Sequence, residues 1–243
     1  MRAWRRPVQM GGNHGEGIPM YVLHYAPDNA SLIVRLFCEE AGIAYRTELV
    51  DRSTRAQDSA GYRRLNPAGL IPALETPDGP IAETGAILLW LTDRHGLWPD
   101  PALTGPFLQW LFYLSNSAHA DLRRLFYPEQ YAPPGSMPAH HDMAAARMVT
   151  HFGLLDAAAM QHPALFTPQS ALAPYAACLL RWSALYPRGG TGWFALERWP
   201  SLLALAQAMD ARPGTARIAL AEGLGDRPFF APTYPKPPEG RAT

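Results

Sequence analysis

The stretch Asn66-Pro67-Ala68-Gly69-Leu70-Ile71-Pro72-Ala73-Leu74, followed by Ile81-Ala82-Glu83-Thr84-Gly85-Ala86-Ile87-Leu88, constrains this chain more than any other. A residue before a proline is held extended. The N–H and C=O of Ile71 therefore point sideways, free to pair with an extended peptide. Pro77-Asp78-Gly79 is a turn signature between two short apolar runs, so 71–76 and 80–83 read as a hairpin. Glu83-Thr84 then stand where an apolar helix begins, and free N–H groups at a helix start hold a carboxylate. Backbone pairing beside a carboxylate cradle suits a short, extended, charged peptide. The plainer reading is a hairpin followed by an ordinary capping pair.

The flanking sequence completes a small α/β unit. Met20 to Tyr25 is β-rich, and Ala26-Pro27-Asp28-Asn29 is turn chemistry. Leu32, Ile33, Leu36 and Phe37 recur at helical spacing, and Gly42 ends that helix. Ala44 to Val50 reads as a second strand, 51–65 as an arginine-rich loop, and Glu83 to Arg94 as a helix. Pro99-Asp100-Pro101 is a stiff linker. Beyond Thr104 the chain reads as helices over 107–126, 143–160, 167–185, 200–211 and 215–222, with a proline-rich break at 128–138. Thr167-Pro168 has the composition of a helix start. The expected organisation is an extension over 1–19, an α/β domain over 20–98, a linker over 99–103, an all-α domain over 104–225 and a proline-rich tail over 226–243, extended or disordered.

Charge and cysteine content exclude several classes. Twenty-one Lys and Arg balance twenty-one Asp and Glu, which argues against a nucleic-acid surface. The longest apolar run, Ala86 to Leu91, is far short of the ~20 residues of a membrane span. Cys38 and Cys178 lie far apart in apolar helical contexts, which suggests buried free thiols rather than a metal site or disulfide framework. The first 19 residues carry three arginines and no apolar core, unlike a secretory signal. His140, His141 and His151 read as surface or helix positions, and the tryptophans as core or interface.

The 66–88 pattern, with the β-α-β-α-β-β-α order around it, resembles the glutathione-binding half of the glutathione transferase family. That resemblance implies a thioredoxin-like domain followed by an all-helical domain. It also implies that Pro72 is cis, that Ile71 pairs with the cysteinyl backbone of glutathione, and that Glu83 and Thr84 hold its γ-glutamyl carboxylate. Pro27 to Ile43, keeping Pro27, Ser31, Leu32 and Glu40-Ala41-Gly42, is similar to the first loop and helix of the bacterial beta class. Ala30 stands where that class has a cysteine, so a mixed disulfide through that sulfur is ruled against. Gln109 to Pro128 also resembles that class, with His119 at its cleft histidine and Ala120 where it has lysine.

Glutathione chemistry needs a thiolate, and a free thiol has a pKa near 8.5. A hydrogen-bond donor at the start of the first helix favours the anion. Ser31 is the candidate donor, with Asn29 as an alternative and a plain helix cap as the bland role for Ser31. His119 could donate to the thiolate or orient water, and Tyr113, Asn116 and His119 would line the acceptor pocket. Arg35, Arg52 and Arg55 are candidates for the glycyl carboxylate. The implied protein is a cytoplasmic, homodimeric glutathione transferase with no metal, acting in detoxification on a small, largely apolar electrophile. A glutathione-dependent disulfide or peroxide reductase and a non-catalytic binding module are the alternatives.

Overall fold

The computed structural model describes residues 21–242, so the expected extension over 1–19 lies outside the described residues. Four strands form one sheet in the order β2-β1-β3-β4: β1 Tyr21–Tyr25, β2 Tyr45–Leu49, β3 Ala73–Thr76 and β4 Gly79–Ala82. β1 runs parallel to β2 and antiparallel to β3, and β3–β4 is the hairpin. Every residue of β1 is buried, which suits a central strand covered on both faces. The helices of this half are α1 Ser31–Ala41, α2 Ala60–Leu65 and α3 Thr84–Arg94. Gly42 closes α1 in the left-handed region at φ 66°. This is the thioredoxin-like unit the resemblance implied, and helices dominate the rest of the described chain up to Glu222.

The second half contains α4 Thr104–Tyr113, α5 His119–Phe126, α6 Met137–Gln161, α7 Leu172–Leu185, α8 Pro200–Asp210 and α9 Pro213–Glu222. A π-helical turn over Leu114–Ala118 joins α4 to α5, so the long run predicted over 107–126 is one helix with a bulge. Thr167-Pro168 does not open α7. The helix begins four residues later, where the Leu172 N–H donates to the Ser170 hydroxyl. One continuous apolar core runs through both halves, with α1 packed on α7 and α9.

The halves are joined by buried charge. Asp28 sits between β1 and α1 at φ 49°, a left-handed conformation that Asp tolerates better than most residues. Its carboxylate accepts from Arg181 Nε at 2.8 Å, Arg181 Nη2 at 3.1 Å and Trp182 Nε1 at 2.8 Å. The remaining Arg181 bonds go to the carbonyls of Leu224, Pro228 and Thr233. The five N–H groups of the guanidinium thus face five acceptors. The Asp28 N–H donates to Glu222, whose other oxygen accepts from Arg35. Arg35 is therefore occupied within the protein and is not a free cation for a ligand.

The proline-rich tail is extended and packed. Phe229 and Phe230 donate their N–H groups to Asp210, and the Tyr25 hydroxyl bonds Glu239. Gly223 caps α9 at φ 64°, and a Cβ there would lie 2.0 Å from the Lys236 carbonyl oxygen. Only glycine suits both the dihedral and the close approach.

Removing Arg181 strands a buried carboxylate. Arg181→Met is expected to lower the unfolding free energy by about 3–5 kcal/mol, read from urea denaturation. A loss below about 1 kcal/mol would show that the pair is not the tie between the halves.

Candidate active site

A cavity of about 530 Å³ opens between the two halves, within the size range of small-molecule sites. Its walls come from three places: the β1–α1 loop (Asp28, Asn29, Ala30), the segment from Asn66 to the start of α3, and the α4–α5 helix with Tyr175 and Trp182 behind it.

The Ile71–Pro72 peptide is cis. The N–H and C=O of Ile71 take no bond in the sheet or its turns. The preceding loop is fixed from behind, since the Leu70 carbonyl accepts from Tyr62 Oη and Asn66 Nδ2, both at 2.7 Å. Glu83 caps α3 at φ 70° and ψ 117°, a region that a non-glycine residue occupies at a cost of about 1–3 kcal/mol. Its side chain makes no capping bond, and Thr84 follows as the first helical residue. The Ile87 N–H is the first to find the helix ladder, so the N–H groups of Thr84, Gly85 and Ala86 are the helix-start donors beside the cavity. A carboxylate at this edge meets N–H groups, a hydroxyl and the positive end of α3.

The sulfur corner differs from expectation. Ser31 is fully buried, and its hydroxyl donates to the Ala26 carbonyl at 3.1 Å while accepting from the Ala26 N–H at 3.2 Å. It pins the loop and does not line the cavity. Asn29 does line it: its Oδ1 accepts from the Ala30 N–H at 2.8 Å, which leaves the Nδ2 hydrogens unspent. Ala30 also faces the cavity, with no group to form a covalent bond to sulfur.

His119 lines the opposite wall. Its Nδ1 lies 3.0 Å from the hydroxyl of buried Tyr175, and its ring packs 5.6 Å from that of Trp182. Burial first, and then the charge of Arg123, push its pKa down to about 4, so the imidazole is neutral at physiological pH. Burial also pushes the Tyr175 phenol up, keeping it protonated and a donor. In the tautomer in which Tyr175 donates to Nδ1, the ring proton is on Nε2, a donor for the cavity.

Asn116 lines the cavity as expected, and Tyr113 does not. A π-turn needs four residues, rather than three, to return to the same face, so Phe112 takes the place expected for Tyr113. The Tyr113 hydroxyl instead lies 2.6 Å from His151 Nδ1, and His151 Nε2 lies 2.7 Å from Asp121. His151 is thus a buried, bonded residue rather than a surface one, and His140 is buried too. Arg55 pairs with Asp58, away from the site. Arg52 donates to the hydroxyl of the cavity residue Tyr127 at 3.3 Å. Arg123, Phe112 and Tyr127 are wall residues that sequence reasoning missed. The only signal for them was their spacing along α4 and α5, and the bulge disturbs it. Cys38 and Cys178 are free and fully buried, and burial pushes the Cys38 thiol up to about 12. Among the described residues no group of three His, Cys, Asp or Glu side chains gathers as a metal site would, and no helix is long and apolar enough to cross a membrane.

Residues 30–94 match the family model described as glutathione S-transferase, N-terminal domain. Glutathione S-transferase GstA of Escherichia coli O157:H7 is 31% identical over 124 residues, which are 46% of this chain and 60% of that protein. Disulfide-bond oxidoreductase YfcG of Escherichia coli K12 is 35% identical over 103 residues, 39% of this chain and 48% of that protein. A probable elongation factor 1-gamma 2 of Arabidopsis thaliana is 33% identical over 95 residues, 36% of this chain and 22% of that protein. The aligned regions thus span between about a fifth and three fifths of these relatives. A crystal structure of a glutathione transferase homologue from Sulfitobacter with bound glutathione superposes with a TM-score of 0.70 at 25% identity, covering 82% of this chain and 96% of that one. Residues 30–94 thus match the N-terminal domain of glutathione S-transferases, and the described chain has the fold of solved glutathione transferases.

The depressed histidine fixes a sign. A folded-state pKa of about 4, below the ordinary 6.5, gives stability that is fully present above pH 6.5 and lost as pH falls toward 4. His119 ring signals are expected not to titrate between pH 8 and 5 by NMR, and His119→Gln should flatten this part of the stability profile. A midpoint near 6.5 would contradict a buried, neutral ring.

Proposed function

We propose that the cavity binds glutathione and that the protein transfers its thiolate to an electrophilic carbon of a small, largely apolar molecule. The observation that carries this reading is the convergence on one cavity of an unpaired Ile71 backbone, the start of α3 with Glu83 and Thr84, and the donors of Asn29 and His119. The Ile71 N–H and C=O pair with the cysteinyl backbone, as an added strand would. Thr84 and the α3 N–H groups take the γ-glutamyl carboxylate, and Glu83 faces the adjoining ammonium. The sulfur then lies near the start of α1.

Asn29 Nδ2–H is the donor to the thiolate, and the neutral His119 adds its Nε2–H. Each bond favours the anion by roughly 1.5–3 kcal/mol, about 1–2 pKa units. The thiolate attacks the electrophilic carbon, a C–S bond forms, and the displaced pair leaves with its group or moves to the neighbouring atom. Ala30 supports conjugation over chemistry through a protein sulfur, and the beta-class likeness is read with that departure. The homodimer belongs to this reading on the family likeness, and sedimentation tests it: a mass twice that of the chain is expected.

The likeness to YfcG favours a second reading, a disulfide reductase in which a second glutathione replaces the missing protein thiol. The likeness to an elongation factor subunit keeps a binding module in view. Turnover of disulfides without conjugation would select the former, and glutathione binding without turnover the latter.

The test is an ultraviolet titration of bound glutathione. The bound thiol is expected to ionise about 1–2 units below its free value. That value should rise in Asn29→Ala, whereas Ser31→Ala should cost stability with little effect on the bound thiol. A bound thiol that ionises at its free value would defeat the transferase reading.

A further inference from the structure

The acceptor end of the cavity carries an unneutralised cation. Arg123 lines the wall four residues beyond His119, about 6 Å along the axis. No carboxylate pairs with it among the described residues, whereas its neighbour Arg124 shares Asp121 with Arg147 and His151. Its guanidinium lies over the Tyr127 ring, 5.4 Å from the centroid. The Tyr127 hydroxyl accepts from Arg52, whose Nη1 is buried without a partner among the described residues. Two guanidinium groups thus touch one aromatic wall residue, one at its ring face and one at its hydroxyl.

The other charges around the cavity do not answer these cations. Asp28 is neutralised by Arg181. Glu83 stands at the start of α3, where the proposed peptide ammonium would meet it. Phe126 and Tyr127, which follow Arg123 in the chain, supply an apolar and aromatic surface on the same cavity wall. A half-buried guanidinium held against a ring is desolvated in part and presents its fork to a planar anion.

We infer that the electrophile is an organic anion: a small aromatic or unsaturated body that carries a carboxylate, which Arg123 receives while the body rests on Phe126 and Tyr127. The inference rests on the glutathione-binding reading above and adds the charge of the second substrate to it. Arg123 is then a specificity-determining residue, one turn away from the chemistry at sulfur.

Calorimetry with three ligands tests it on the full chain: glutathione, S-benzylglutathione and S-(4-carboxybenzyl)glutathione. The carboxylated ligand is expected to bind about tenfold more tightly than the benzyl one, the size of one charge-assisted bond. The ratio should fall to about one in Arg123→Gln and recover in part in Arg123→Lys. A ratio of one in the native protein, or a ratio that survives Arg123→Gln, would overturn the inference. The latter result would assign the guanidinium to the peptide's own carboxylate or to packing. Failure of all three ligands to bind, free glutathione included, would instead defeat the glutathione reading on which it stands.

Discussion

The bidentate pair between Asp28 and Arg181 holds the site together. Both side chains are buried, and the residues stand 153 positions apart. Removing two charges from water is costly unless every hydrogen-bonding group is satisfied. Here the cost is offset by Trp182 on the carboxylate and three carbonyls on the guanidinium, two of them from the tail. The result is geometric: the β1–α1 loop is fixed against α7, and Asn29 and Ala30 are presented to the cavity. The tail belongs to the same arrangement. It contributes carbonyls to Arg181 and contacts β1 through Glu239, and among the described residues none of the tail lines the cavity. It therefore acts on the site only through the loop it steadies.

The cavity combines two electrostatic regimes. At the α3 end, polar groups and a helix start are open to a charged ligand, and Glu83 holds a costly backbone conformation at the same edge. Such strain persists where the surrounding structure enforces it, and it gathers at functional positions. At the α5 end, His119 is packed between Tyr175 and Trp182 and kept neutral. A neutral imidazole is a weaker donor than an imidazolium, but its proton count stays constant across physiological pH. Glu222, behind the loop, is pushed up to about 7, with burial outweighing its pairing with Arg35. It accepts the Asp28 N–H, so the loop is fastened through its backbone as well as its side chain.

Much of the fold was legible in the sequence for local reasons, as was the gathering of four candidate residues at one cavity. Proline before a short strand, Pro-Asp-Gly between apolar runs, and Glu-Thr before a helix act through neighbouring residues, so Ile71, Pro72, Glu83 and Thr84 fell where expected. The sulfur corner was not legible. Whether Ser31 or Asn29 faces the cavity depends on the direction of the loop, which Arg181 sets from the far half of the chain. Tyr113 failed for a different reason: helical spacing assumes 3.6 residues per turn, and a π-turn breaks that count without a clear sequence mark. The start of α7 falls at Leu172 rather than Thr167, and the Leu172 N–H donates to the Ser170 hydroxyl. Prolines in the tail announced an extended chain but not its contacts, which depend on acceptors matched to a distant arginine.

The central claim is that one cavity holds glutathione by its backbone at Ile71, by its γ-glutamyl carboxylate at the start of α3, and by its sulfur at Asn29. A crystal structure of the protein soaked with glutathione tests it most directly. The account predicts two backbone bonds to Ile71, the carboxylate within hydrogen-bond distance of Thr84, and the sulfur between Asn29 Nδ2 and His119 Nε2. Glutathione bound elsewhere, or bound with its sulfur turned away from Asn29 and His119, would contradict it.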